Sequence, residues 1–344
     1  MQATLTERYL LSMPGALEAC MLAVRTGLDA ELQRAQPVKL GKPYPLGQCL
    51  EISKAFTQRL SSLDEASLPA DAVAGLRAFR AFLRAGGIMR RVWGDLRGQY
   101  FQNAFQVGTL YVDVANDTVS PAKPKVEILP FDEAGLTPIR DFEHFSRIAR
   151  VYWGHEVYPN HVLPELAPYC PLIHVAPDGV VTLRESSQYM LALTCSQGFA
   201  PSEAALRQAS MPDALFARIC KVLRKAGHAV PGNPVQGRDR GLGCCQEYRA
   251  SRRDQAPALA AHVARQVWQL NLHLASISNE ETMPIIKIED KEYELDSLSA
   301  EARAQLANIR FVDQELARLQ ATMGALRTAR EVYVNALKAA LPPA

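Results

Sequence analysis

Apolar and polar positions along this chain repeat with two different periods, and the change of period divides it. From Leu5 to Gly108 the apolar residues fall at helical spacing among Ala, Leu and Arg, with breaks at Pro14-Gly15, Pro37 to Pro45 and Pro69. That pattern predicts three or four helices. In the second break Pro37, Gly41, Pro43, Pro45 and Gly47 crowd into eleven residues, so a surface loop is expected. Ala70 to Arg84 sets Val73, Leu76, Phe79 and Leu83 on one face and Arg77, Arg80 and Arg84 on another. This reads as an amphipathic helix ended by Gly86-Gly87.

Around Thr109 the period changes. Leu110 to Val114 and Pro124 to Leu129 are short and bounded by turn residues, which predicts two strands, a hairpin with a long loop. Leu172 to Val175 and Val180 to Leu183 flank Ala176-Pro177-Asp178-Gly179, whose Pro-Asp-Gly is a turn signal, so a second hairpin is expected. Ser187 to Leu193 and Glu203 to Ala226 return to helical character, the latter stopped by Gly227. Val230 to Gly243 holds two prolines and four glycines and is expected to be a loop between domains or over a cleft. Ala258 to Ile277 reads as a further helix.

The last sixty or so residues carry the clearest pattern. Ile285-Ile286-Lys287-Ile288 and Tyr293-Glu294-Leu295 flank a charged turn and predict a small hairpin. Ser297 or Ser299 can cap a following helix with Glu301 in its first turn, running to about Leu341 before Pro342-Pro343. Ile309, Val312, Leu316, Leu319, Met323, Leu326, Tyr333 and Leu337 alternate three-then-four, the seam of a coiled coil. Arg330 interrupts the seam, and Gly324 marks either a weak point in one long helix or the bend of a helical hairpin; the unbroken heptad phase favours the single helix. Such a helix has too little core of its own, so a second copy, another protein or the rest of the chain must cover its stripe.

The run from Ile285 to Leu341, with KIEDKEYELDSLSAEA, FVDQELARLQ and TAREVY, resembles a family of small uncharacterised bacterial and phage proteins and C-terminal modules. The resemblance covers about one sixth of the chain and implies a short strand pair leading into a coiled-coil helix; it brings no activity with it.

The chain has 344 residues, 48% of them hydrophobic and 22% charged, enough for a sizeable core and about two or three domains. With 38 Lys and Arg against 36 Asp and Glu, the formal net charge of +2 makes nucleic acid an unexpected partner. The N-terminus, with Glu7, Arg8 and Pro14, makes a poor signal peptide, and no run approaches the roughly 20 apolar residues of a membrane span. Seven scattered cysteines do not form a secreted disulfide framework, so a cytoplasmic protein is expected. The fold class expected is α+β: a helical region over 1–108, an α+β region over 109–280 that is either separate from it or one domain with it, and an oligomerisation module over 283–344.

Candidate chemistry is thinner. Gln99, Gln102, Asn103, Gln106, Asp113, Asn116 and Asp117 crowd a helix-to-strand transition and can line a pocket or hold a hard cation through oxygen; the plainer reading is a side-chain-to-backbone turn at Asn116-Asp117-Thr118. His144, His155, His161 and His174 cluster, and imidazoles near Glu156 can bind metal or act as a base. His155 and His161 are six apart with Pro159 between, which is not the zinc-protease spacing. Cys244-Cys245 near Arg238, Arg240 and Arg249 is a candidate reactive thiol pair without an identified base. Arg77 to Arg97, interleaved with Phe79, Phe82, Trp93 and Tyr100, can contact phosphates or is a solvated helix face.

The function expected is an oligomeric interaction or assembly protein of bacterial or phage origin, self-associating through its C-terminal coiled coil. The alternative is a small-molecule enzyme, metal-dependent or transferase-like, with a central pocket near Asp113, Asp117, His155 and His161. Cofactor and substrate are not encoded in any motif.

Overall fold

The computed structural model describes residues 1–39, 42–177, 179–184, 187–255, 259–274, 277, 285–288, 291–294 and 299. The fold class is α+β, and the chain divides into two compact units, Met1–Ile277 and Ser278–Ala344.

In the first unit, the helices Pro14–Ala35, Cys49–Ser61 and Ala70–Arg84 form one layer. Pro14 sits in the first turn, where a missing N–H breaks no helical bond. Leu17, Met21, Val24, Leu28, Ile52, Phe56, Leu76 and Phe79 supply its core. The first and third helices meet at Gly75, where a Cβ would lie 1.9 Å from the carbonyl oxygen of Ala16. Ala70–Arg84 has the bounds its periodicity predicts, but Leu83 is 39% exposed and Phe82 takes the core position instead. The proline-rich break holds a hairpin of Val38–Lys39 with Lys42–Pro43.

The helical region does not extend to Gly108. Met89–Leu96 and Tyr100–Val107 are strands, paired antiparallel from Met89↔Val107 to Leu96↔Tyr100. Arg97 and Gly98 turn the chain with positive φ (58° and 70°), a conformation cheap for glycine and held at Arg97 by Nε donating to Ala134 O at 3.1 Å and an ion pair to Glu127 at 2.8 Å. The resulting sheet is five-stranded and antiparallel, in the order Glu127–Pro130, Leu110–Asp113, Tyr100–Val107, Met89–Leu96, Leu136–Thr137. The expected pairing of the 110 and 127 segments is therefore present, inside a larger sheet. Both faces of Tyr100–Val107 are covered, which hides the alternation expected of a half-exposed strand.

A second antiparallel sheet joins Val181–Thr182, Leu172–Val175 and Glu156–Pro159; the first two pair as predicted, with Gly179 N donating to Ala176 O at 2.8 Å. Around it lie Phe142–Trp153, Gln188–Ser196, Ala200–Leu206, Asp213–Lys225, Pro234–Ala250 and Leu259–Leu274. The helical stretch read from Glu203 to Ala226 is broken before Pro212, so it becomes two helices. The loop expected over Val230 to Gly243 is mostly helix: Asn233 Oδ1 accepts from Gln236 N at 2.9 Å as a cap, and Pro234 takes the first turn. The glycines there serve close packing. A Cβ at Gly237 would lie 1.8 Å from His161 O, and one at Gly241 would touch Leu206 and Ala167.

In the second unit Ile285–Ile288 and Lys291–Glu294 pair antiparallel, the hairpin the sequence predicts. The expected C-terminal helix and its seam, Ile309 to Leu337, lie outside the described residues. Among the described residues no helix is long and apolar enough to cross a membrane.

Candidate functional site

The polar segment after Tyr100 folds into a tight, buried network. Asp113, at the end of its strand, is fully buried, and its carboxylate accepts from Gln102 Nε2 at 2.7 Å, Tyr111 OH at 3.0 Å and Ala115 N at 2.8 Å. Burial pushes its carboxyl up to about 6, and those three hydrogen bonds only partly offset the loss of water. Gln102 Nε2 also donates to Ala115 O at 3.1 Å, as does Thr118 Oγ1 at 2.6 Å. Asn116–Thr118 is a short 3-10 turn, with Asn116 Nδ2 donating to Pro124 O at 3.1 Å.

Asp117 leaves that turn to meet Arg25, a fully buried guanidinium on the Pro14–Ala35 helix, whose Nη2 lies 3.1 and 3.2 Å from the two carboxylate oxygens. Arg25 also pairs with Asp29, which in turn binds Lys125 and accepts from Tyr44 OH at 2.6 Å. Burial raises the Asp117 carboxyl, with Arg25 and then Lys125 opposing it. Gly47 N donates to Thr118 O at 2.9 Å, so the turn is bolted to the loop leading into the Cys49–Ser61 helix.

That loop delivers the residue the sequence reading passed over. Cys49 begins its helix, and Asn103 Nδ2 donates to its Sγ at 3.4 Å. Burial pushes the thiol up, against the hydrogen bonds from Asn103. A thiol becomes a nucleophile when a base takes its proton or cations hold its thiolate. Here its polar neighbour is a neutral amide, and the thiol is held protonated. Beside it, Tyr152 and Tyr100 meet edge-to-face at 5.5 Å, with Lys42 Nζ 5.5 Å from the centre of the Tyr152 ring and Lys123 Nζ 5.2 Å from that of Tyr100. Burial, then the nearby Cys49, push the Tyr152 hydroxyl up to about 12.

The histidines do not join this cluster. His161 has both ring nitrogens engaged, Nδ1 with Ser210 Oγ at 3.1 Å and Nε2 with Leu206 O at 2.8 Å, and burial lowers its pKa. His155 and His174 meet edge-to-face 5.7 Å apart beside Trp153, and His144 Nε2 binds the buried Asp95 at 2.9 Å. Among the described residues no group of three or more His, Cys, Asp or Glu is placed to hold a metal ion. Cys244 and Cys245 are buried on a helix, with burial pushing them up to about 11 and about 12, which removes the exposed, activated setting a reactive pair needs. Arg77 and Arg80 pair with Glu65, Arg90 Nε donates to Gln106 and Arg97 pairs with Glu127, so these arginines have partners within the fold.

Two signals in the sequence pointed at the missed residues. Arg25 falls among Met21, Val24 and Leu28 on an apolar helical stripe, and Cys49 follows directly on the proline-glycine loop where a helix must start. Set against known proteins, the chain gives no match to a family model, a curated protein or a solved structure.

Proposed function

We propose that this chain is an interaction and assembly protein, in which the Met1–Ile277 unit is the binding body and the C-terminal segment joins copies. The observation that carries this reading is the apolar seam from Ile309 to Leu337, eight apolar residues in one heptad phase interrupted only by Arg330, on a segment that belongs to a different compact unit from the body. The body supports it from the other side. The carboxylates best placed for catalysis, Asp113 and Asp117, are spent on holding the turn, and the helix-terminal thiol faces an amide where chemistry would need a base. Light scattering on the full-length protein tests the reading: a dimer or trimer is expected, and replacing Leu316 and Leu319 together by Asp is expected to dissociate it, since unpaired charges in a seam are costly. A monomeric full-length protein would end it.

A second reading, a small-molecule enzyme, is favoured by one feature: the Asp113 carboxyl, pushed up to about 6, is poised to exchange a proton near neutral pH. It requires a substrate to displace Gln102 or Tyr111 from that carboxylate. Loss of turnover in Asp113→Asn, with an unchanged fold, would be its signature.

A further inference from the structure

One concavity of the Met1–Ile277 unit shares no residue with the Asp113 network. It is a cavity of about 620 Å³ between the segment around Leu163–Leu166, Tyr248 at the end of Pro234–Ala250, and the Leu259–Leu274 helix. That volume falls within the range of pockets that bury a small organic ligand. Its walls are chiefly apolar, with Leu163, Leu166, Leu259 and Leu270 and the ring of Tyr169.

Two charged side chains, Arg253 and Glu165, line it. Arg253 lies at the cavity with its guanidinium stacked 4.3 Å from the centre of the Tyr248 ring, and among the described residues it has no carboxylate partner. The lining's own acid, Glu165, is engaged elsewhere: Arg240, which also pairs with Glu247 at 2.8 Å, binds it at 2.8 Å, and Tyr248 OH donates to its backbone oxygen at 3.0 Å and its carboxylate at 3.2 Å. Burial raises its pKa but those partners outweigh it and bring it below the usual value, and its ion pair is with Arg240 rather than Arg253. His228 and His262 add imidazoles to the lining and no further acid. A stacked guanidinium is weakly hydrated and held in one plane, and its remaining N–H groups match the two oxygens of a carboxylate.

We propose that this cavity is a binding site for an amphipathic carboxylate, its apolar chain against Leu163, Leu166, Leu259 and Leu270 and its carboxylate on Arg253. The site does not depend on the oligomeric reading of the tail. Titration calorimetry on the full-length protein at low ionic strength tests it with three probes of one chain length: dodecanoate and dodecylammonium below their micellar concentrations, and dodecan-1-ol below its solubility limit. Dodecanoate is expected to bind at least tenfold more tightly than the other two, the loss of a charge-assisted contact being worth about one to two decades. Arg253→Gln is expected to abolish that preference while leaving dodecanol binding unchanged, and Arg253→Lys to restore part of it. Leu270→Trp, checked for an unchanged melting temperature, is expected to weaken all three by filling the cavity. Equal affinity for the three probes, or dodecanoate binding that survives both Arg253→Gln and Leu270→Trp, would overturn the proposal; so would no measurable binding of dodecanoate.

Discussion

Asn103 donates its side-chain amide to the Cys49 thiol at 3.4 Å, joining the first residue of a helix to the central strand of the five-stranded sheet. Burial keeps that thiol in its neutral form against the hydrogen bond from Asn103. Alkylation of the native protein at pH 7.5, followed by peptide mapping, is expected to label Cys49 more slowly than in the unfolded chain, because burial both raises its pKa and covers its sulfur. Rapid labelling of Cys49 in the folded protein would mean a stabilised thiolate and would reopen thiol catalysis.

The Asp113 carboxyl gives stability a particular pH dependence. Its pKa rises from 3.8 to about 6 on folding, so the folded protein holds the proton more tightly than the unfolded chain. A group raised in this way contributes fully at pH values below its unfolded pKa, and that contribution is lost as pH climbs through about 6. Asp113→Asn removes the titration. Relative to that variant, the wild type is expected to lose on the order of 3 kcal/mol between pH 4 and pH 7.5. Urea denaturation at both pH values measures it; a difference that does not change with pH would show that Asp113 ionises freely in the fold.

Arg25 is the element whose loss should cost most. Arg25→Met leaves Asp117 buried without its cation and Asp29 with Lys125 and Tyr44 alone, and a cost of about 3–5 kcal/mol is expected for one broken partner of a buried pair. Replacing both partners, Arg25→Met with Asp117→Leu, is expected to cost less than Arg25→Met by itself, because no charge is stranded. Thermal unfolding of the two variants orders them. Equal or greater loss in the double variant would mean that the ion pair is worth more than the desolvation it requires.

Legibility in the sequence followed solvent exposure. The Ala70–Arg84 helix and the hairpin of Leu172–Val175 with Val181–Thr182 each keep one wet face or a strong turn signal, and both stand where periodicity puts them. Tyr100–Val107 is buried on both sides, so its polar members, Gln102 and Asn103, do not mark a solvent face; they mark internal hydrogen bonds to Asp113 and Cys49. Its apolar members then read as one more stretch of helix. The site was half legible for the same reason. The cluster from Gln102 to Asp117 is visible as a run of amides and carboxylates, whereas Arg25, Tyr44 and Cys49 reach it from about 50 to 90 residues away, through pairings that only the tertiary fold creates.

Glycine misled in one place, and there the physics can be tested against itself. Val230 to Gly243 looks like a loop because glycine weakens a helix by about 1 kcal/mol per residue, yet Pro234–Ala250 is helical. Gly237 is present because the helix passes so close to His161 that a Cβ would stand 1.8 Å from its carbonyl oxygen, a backbone atom with no freedom to move aside. Gly243, on the same helix, would place a Cβ in open space. The same substitution should therefore have opposite signs at the two sites. Gly237→Ala is expected to destabilise by about 1–3 kcal/mol as the helix is forced away from His161, and to disturb the histidine's bonds to Ser210 and Leu206. Gly243→Ala is expected to stabilise by about 0.4–1 kcal/mol, chiefly by restricting the unfolded chain. Chemical denaturation of both variants, with the His161 ring resonances followed by NMR, decides the matter: two stabilised proteins would mean that the helix does not pack against His161, and two destabilised ones that Gly243 meets a neighbour of its own.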